Sequence, residues 1–241
     1  MSSNAGKWAY AAVFIVLGAV FVAVIAFLLY GFGVTPTPFH AQAAPGRAQP
    51  RHVYLTLQTF PSTPTDAWMR EHHYHFASAT IPPLNAHSEW VRYGPNTNLV
   101  LPAHALVTMT IENYDGQTPI LNNFYSQVQG TVGNTMTVNG KTVKTLDPST
   151  VSHTFTIHSI PSANQPWLYV SVPILGEPDA VESAGADNGF PPHPEVMQFS
   201  FMTSGPGQYI WQCFDPCGWA FNGFGGPMQT KGFMSGTVTV Q

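Results

Sequence analysis

The stretch that decides the fold is Gly205 to Met228, GPGQYIWQCFDPCGWAFNGFGGPM. In its first half, Tyr209, Trp211 and Cys213 fall on alternate positions, so an extended chain carries all three on one face. The run then breaks into a loop rich in Gly, Pro and Phe that holds Cys217, the only other cysteine of the chain. Two thiols with three residues between them at the end of a strand suit either a shared metal or a disulfide. The short loop permits a disulfide only where it brings the two Cα atoms to roughly 4.4–6.8 Å.

Working outward, the same period of two recurs in VYLTLQTF (53–60), LVTMTIEN (106–113), HTFTIH (153–158), MQFSFM (197–202) and GTVTV (236–240). Asn139-Gly140 separates two short alternating runs in TMTVNGKTVKTL, a strong hairpin signal. Several short strands with turn residues between them predict an all-β sandwich or Greek-key barrel. Within HTFTIH, His153 shares the apolar face with Phe155 and Ile157, while Thr154, Thr156 and His158 are expected on the outer face. An inward histidine needs a partner for its ring nitrogens: a carbonyl, a water or a metal.

The 241 residues divide into a cytoplasmic N-terminus over 1–7, an apolar span over 8–32, a linker over 33–50 and a β-domain over 51–241. The span Trp8–Phe32 carries no charge, is long enough at ~1.5 Å per residue to cross a ~30 Å hydrocarbon core, and has aromatic rings near its ends. Lys7 on its N-terminal side places the domain outside the cytoplasm. Ala41-Gln42-Ala43 resembles a signal cleavage site, but the apolar run exceeds a signal core of about 7–15 residues, so a retained membrane anchor is expected.

Charged residues are only 8% of the chain and the formal net charge is -4, which argues against nucleic acid as a partner. No Lys or Arg lies between Lys144 and Lys231, while Asp147, Glu177, Asp179, Glu182, Asp187, Glu195 and Asp215 do. This stretch reads as solvated loops or as a docking face for a cationic electron-donor protein. Three histidines crowd Glu71-His72-His73-Tyr74-His75, with His87 further on. Were that segment extended, His73 and His75 would share a face and could chelate zinc or copper; as an exposed loop they would do neither. No nucleophile–base arrangement is visible, so the chain is not expected to catalyse a reaction alone.

LPAHALVTMTIEN (101–113), HTFTI (153–157), PGQYIWQC (206–213) and MSGTVTV (234–240) together resemble a cupredoxin domain. The Cys-x-x-x-Cys spacing and the single N-terminal anchor resemble the CuA-type domain of cytochrome c oxidase subunit II. That resemblance implies copper as cofactor, a membrane-embedded redox complex as partner, and electron transfer as function. It implies His153 as the upstream imidazole, Cys213 and Cys217 as bridging thiolates and Asp215 as a backbone carbonyl donor. The sequence departs from the pattern where a second histidine and a methionine belong, because Phe221 and Phe224 stand there. Met228 lies further along a Gly-rich loop. Three readings stay open: a metal-free module with a Cys213–Cys217 disulfide; a sulfur-rich Cu(I) site of His153, both thiolates and Met228, suited to copper delivery or electron transfer; and a copper site completed by a distant imidazole.

Overall fold

In a computed structural model, the residues described are 16–24, 39–40, 42–43, 51–77, 87–159, 164–178, 190–215 and 226–241. They form a helix over 16–24 (α1) and a β-sandwich. The chain separates into two compact units at Thr35/Pro36. Only part of the expected membrane span falls within the described residues, in α1, where Val16, Leu17, Val20, Phe21, Val22 and Val24 are all exposed. Among the described residues no helix is long and apolar enough to cross a membrane.

The sandwich contains β1 (Phe39–His40), β2 (Gln42–Ala43), β3 (His52–Phe60), β4 (Arg92–Gly94), β5 (Leu99–Leu101), β6 (Leu106–Asn113), β7 (Met136–Val138), β8 (Lys141–Val143), β9 (Val151–Ser159), β10 (Val170–Leu175), β11 (Glu195–Met202), β12 (Gly207–Gln212) and β13 (Ser235–Val240). One sheet runs β1-β5-β13-β12-β9-β10. The other runs β2-β3-β6-β11-β7-β8, with β4 added beside β3. Connections such as β5 to β6 and β11 to β12 pass from one sheet to the other, as a sandwich built on crossed loops requires.

Alternation explains the layering. Leu55 and Leu57 of β3, Met109 and Ile111 of β6, and Phe199 and Phe201 of β11 face Phe155 of β9, Tyr209 and Trp211 of β12, and Val238 of β13 in one core. Trp211 is fully buried, and its Nε1–H donates to Thr97 O at 2.8 Å, so its polar atom enters the core satisfied. Its ring packs against Phe155 at 4.8 Å and Tyr93 at 4.9 Å. Each such side chain contributes roughly 1.5–3 kcal/mol by leaving water. The Asn139-Gly140 hairpin forms as expected between β7 and β8, with φ of 46° and 83° at its two turn residues.

A second, smaller cluster surrounds Phe60, Trp68 and Phe190, with Tyr74, Phe76 and Tyr114 packed against them. It is anchored by a short helix, α2 (Asp66–Glu71), whose N-cap Thr65 side chain accepts from Trp68 N.

One expectation from the sequence is corrected here, and one alternative it left open is decided. Every residue from Val151 to Ile157 is buried, so over that length β9 has no face open to water, while His158 and Ser159 at its end are partly exposed. Thr154 and Thr156 are 0% exposed because the 3-10 helix Asn123–Ser126 packs on β10 beside them and Gln129 bridges to Ser171. Their hydroxyls make this burial tolerable: Thr156 Oγ1 bonds Ser171 Oγ at 3.0 Å and lies 3.4 Å from Thr154 Oγ1. The segment Glu71–His75 is not extended, since α2 ends in it and His73 turns through φ 51°.

Candidate metal centre

Four elements meet at one end of the sandwich: the start of β9, the end of β12, the turn after β6, and the 3-10 helix Pro227–Gln229. β9 delivers His153, which is 2% exposed. The turn after β6 delivers Asp115, whose Oδ2 accepts from His153 Nε2 at 2.7 Å. Asp115 is held by its own neighbours. Asn113 Nδ2 donates to Asp115 O at 3.0 Å and to Leu175 O at 2.9 Å, and Gly116 N donates to Asp115 Oδ1 at 2.8 Å. Sequence reasoning passed over Asp115; its signal was the N-x-D-G string just past a strand, which builds an Asx-type turn.

Cys213 follows β12 and is wholly buried. Its N–H donates to Met234 O at 3.0 Å, which fixes it against the strand leading into β13. Its sulfur accepts from Thr154 N at 3.4 Å and lies 3.4 Å from Asp215 O. Thr154 Oγ1, 4.0 Å from the same sulfur, accepts from Phe214 N at 2.7 Å and so pins the start of the cysteine loop. Cys213 also hydrogen-bonds His153. The expected pair, separated by sixty positions in sequence, is therefore brought together.

The electrostatics follow from this packing. Burial alone would lower the His153 pKa; hydrogen bonds to Asp115 and Cys213, reinforced by their charges, outweigh it and push it up to about 10. The Asp215 carboxyl is pushed up to about 7, first by burial and then by the charge of Cys213, with His153 opposing. Asp215 is 5% exposed and its Oδ2 has no hydrogen-bond partner.

Met228, 4% exposed, sits in the 3-10 helix, which is tied down by Met234 N donating to Pro227 O at 3.1 Å. Met228 and Asp215 line the same cavity of about 390 Å³. Cys217, Phe221 and Phe224 lie outside the described residues. No disulfide joins described residues, and the Cys213–Cys217 pairing is not among the observed contacts.

The remaining candidates fall elsewhere. His72 ends α2, stacked on Trp68 at 4.1 Å with Nδ1 3.0 Å from Trp68 O. His73 and His75 are exposed, and His87 stacks on Trp90 at 3.9 Å while Nδ1 meets Glu89 Oε1 at 3.1 Å. Among the described residues no three His, Cys, Asp or Glu side chains gather closely enough to hold a metal ion. Of the acidic stretch, Asp179, Glu182 and Asp187 lie outside the described residues. Glu177 is 3% exposed, Asp215 is buried, and Asp147 caps the 3-10 helix Pro148–Thr150 by accepting from Ser149 N at 2.9 Å.

Tested against copper, the described donors are an imidazole, a thiol, a backbone carbonyl and a thioether. These are the soft and borderline groups copper takes. The orphaned Asp215 Oδ2 beside them is a buried acceptor that a cation would satisfy. The second imidazole of a blue-copper set is not among them.

Neither a family model nor a curated protein sequence matches the chain. Solved structures with some likeness include auracyanin B, at 15% identity over 86% of this chain and 93% of that one, TM-score 0.28. Reduced rusticyanin matches at 14% identity over 79% of each chain, also with TM-score 0.28. A heme-copper terminal oxidase dimer matches at 12% identity over 99% of this chain and 100% of that one, TM-score 0.27. Scores this low carry no argument. The functional reading rests on the site itself.

Proposed function

We propose that the chain is a cupredoxin-like redox subunit, anchored in a membrane by residues 8–32, with its β-domain on the extracytoplasmic side of a membrane oxidoreductase complex. The observation that carries this reading is the Asp115–His153–Cys213 line. A half-buried carboxylate orients a buried imidazole whose ring meets a buried thiol. Metal-ligating histidines use this arrangement, with one nitrogen given to a carboxylate and the other turned toward the metal.

Bound copper would supply a one-electron carrier. His153 Nδ1 and Cys213 Sγ would hold it, helped by Asp215 O, Met228 Sδ and the thiol of Cys217. The backbone N–H of Thr154, already donating to the sulfur, would favour the thiolate over the thiol. Burial of all the described donors would keep water off the ion. The chain would relay electrons for a catalytic partner and carry out no reaction alone.

A second reading, copper binding for delivery, is favoured by one feature. Met228 and the sulfur of Cys213 are soft donors suited to Cu(I), and Phe221 replaces the imidazole that would help to hold Cu(II). Metal analysis with visible and EPR spectroscopy of the purified full-length chain separates the readings. An electron carrier gives near-stoichiometric copper, thiolate-to-copper absorption and an EPR signal when oxidised. Cu(I) bound tightly and silent in EPR under air supports delivery. A chain that takes up no copper in either oxidation state overturns both.

A further inference from the structure

A groove of about 550 Å³ lies between the loop 127–134 and the segment leading into β10. Its aromatic part is Trp167 and Tyr169. The two rings are nearly parallel, at 10°, with centroids 6.5 Å apart, so they stand beside each other rather than face to face. Trp167 is 79% exposed, which leaves open to water a ring that folding usually covers. The rest of the lining is mainly polar, from Gln127, Gln129, Asn134 and Lys144. Among the described lining residues there is no aspartate or glutamate, so Lys144 makes the groove positive in a chain whose net charge is -4.

The frame of the groove is fixed in the absence of a ligand. Gln129 N donates to Ser171 O at 2.8 Å and Ser171 N to Gln129 O at 2.9 Å, which pairs the loop with β10. Val128 N donates to Lys144 O at 2.9 Å and so holds the root of the lysine. Gly130 turns through φ 73°, and an added Cβ there would stand 1.9 Å from Tyr169 O, so only glycine lets the loop lie this close. Its N–H donates to Asn134 Oδ1 at 3.0 Å. A site with a rigid frame loses less entropy when it binds.

We infer that this groove binds an acidic saccharide: a sugar ring laid on Trp167, its hydroxyls bonded to Gln127, Gln129 and Asn134, and its carboxylate paired with Lys144. A sugar ring carries C–H groups on its face and hydroxyls around its rim. An open indole covers the face, and side-chain amides, each both donor and acceptor, match hydroxyls that are the same. The lone lysine selects a carboxylate and disfavours a cation. A proline-rich peptide also seeks exposed aromatic rings, but it brings neither hydroxyls nor a negative charge to the amides and the lysine. The inference stands on the groove and does not depend on copper.

The test uses the full-length chain with ¹⁵N-labelled tryptophan indoles, at low salt, in a detergent without a sugar headgroup. It is titrated with trigalacturonate and trimannuronate, which present ring and carboxylate in different stereochemistry, and with their methyl esters. Trp167→Phe assigns the Trp167 signal, and the buried Trp211 serves as internal control. At least one acid is expected to shift Trp167 saturably and to leave Trp211 in place. Its ester, with the same rings and no charge, should bind up to about fivefold more weakly, the worth of an exposed ion pair. Lys144→Gln should bring the acid down to the level of the ester, and Trp167→Ala should abolish the binding of both, measured by calorimetry. Both side chains are exposed, so neither change threatens the fold. No saturable shift with either acid, an ester as tight as its acid, or undiminished acid binding by K144Q would each overturn the assignment. A proline decamer that shifts Trp167 where the saccharides do not overturns it in favour of a peptide site.

Discussion

His153 Nε2 and Asp115 Oδ2 lie 2.7 Å apart, and the two residues come from opposite sheets, His153 from β9 and Asp115 from the turn after β6. The contact therefore orients a candidate ligand and ties the two layers together at the site. Asp115→Asn should keep the fold and weaken copper binding roughly 10–100-fold, the usual effect of losing a carboxylate behind a ligating histidine. Competition against a chromophoric Cu(I) chelator measures it. Unchanged affinity would remove Asp115 from the site.

The metal-stripped chain should lose stability as pH rises. His153 binds its proton more tightly folded, at about 10, than at its ordinary 6.5. Its contribution is thus complete below about pH 6.5 and lost as pH climbs toward 10. Asp215, raised from 3.8 to about 7, acts in the same direction over the lower window, because the folded state again holds the proton that the unfolded state has released. Thermal midpoints between pH 6.5 and 9 should fall, and His153→Gln should flatten that fall. A midpoint that rises across the window contradicts the assigned environment.

Thr154→Val keeps the shape of the side chain but removes the oxygen that accepts from Phe214 N at 2.7 Å. A buried N–H left without an acceptor costs about 1–3 kcal/mol. The expected loss in melting temperature is roughly 2–4 °C for each kcal/mol in a domain of this size. Calorimetry of the variant checks it, and Thr154→Ser should recover most of the loss.

Two glycines should behave oppositely. A Cβ on Gly236 would stand 1.8 Å from Thr97 O and 2.6 Å from Trp211 Nε1, breaking the bond that satisfies the buried indole. Gly236→Ala should yield no folded domain. Gly140 has open space around it and only a φ of 83° to oppose a side chain, so Gly140→Ala should cost about 1 kcal/mol. Folded yield and denaturation midpoints of the two variants, measured side by side, test the contrast.

Strand positions were legible because a period of two is a local signal, and β3, β6, β9, β11, β12 and β13 fall where alternation predicts them. Alternation says which residues share a face but not whether another element covers it, and Thr suits either side. That is why the burial of Thr154 and Thr156 was hidden. The helix α2 is six residues long, too short for its periodicity to register, although Thr65 and Asp66 form a recognisable start. His153 and Cys213 announced themselves by residue type. Asp115 did not, because its role depends on how the two sheets stack, which no local pattern encodes.

The placement of β13 has a consequence for the order in which the protein can assemble. Residues 235–240 lie between β5 and β12, in the interior of their sheet. Until that strand arrives, β5 lacks its link to β12, and Cys213 lacks the Met234 carbonyl that fixes its backbone. Folding must wait for contacts far apart in sequence, which makes it slow. Cys213 therefore lacks its backbone anchor until residues 234–240 are in place.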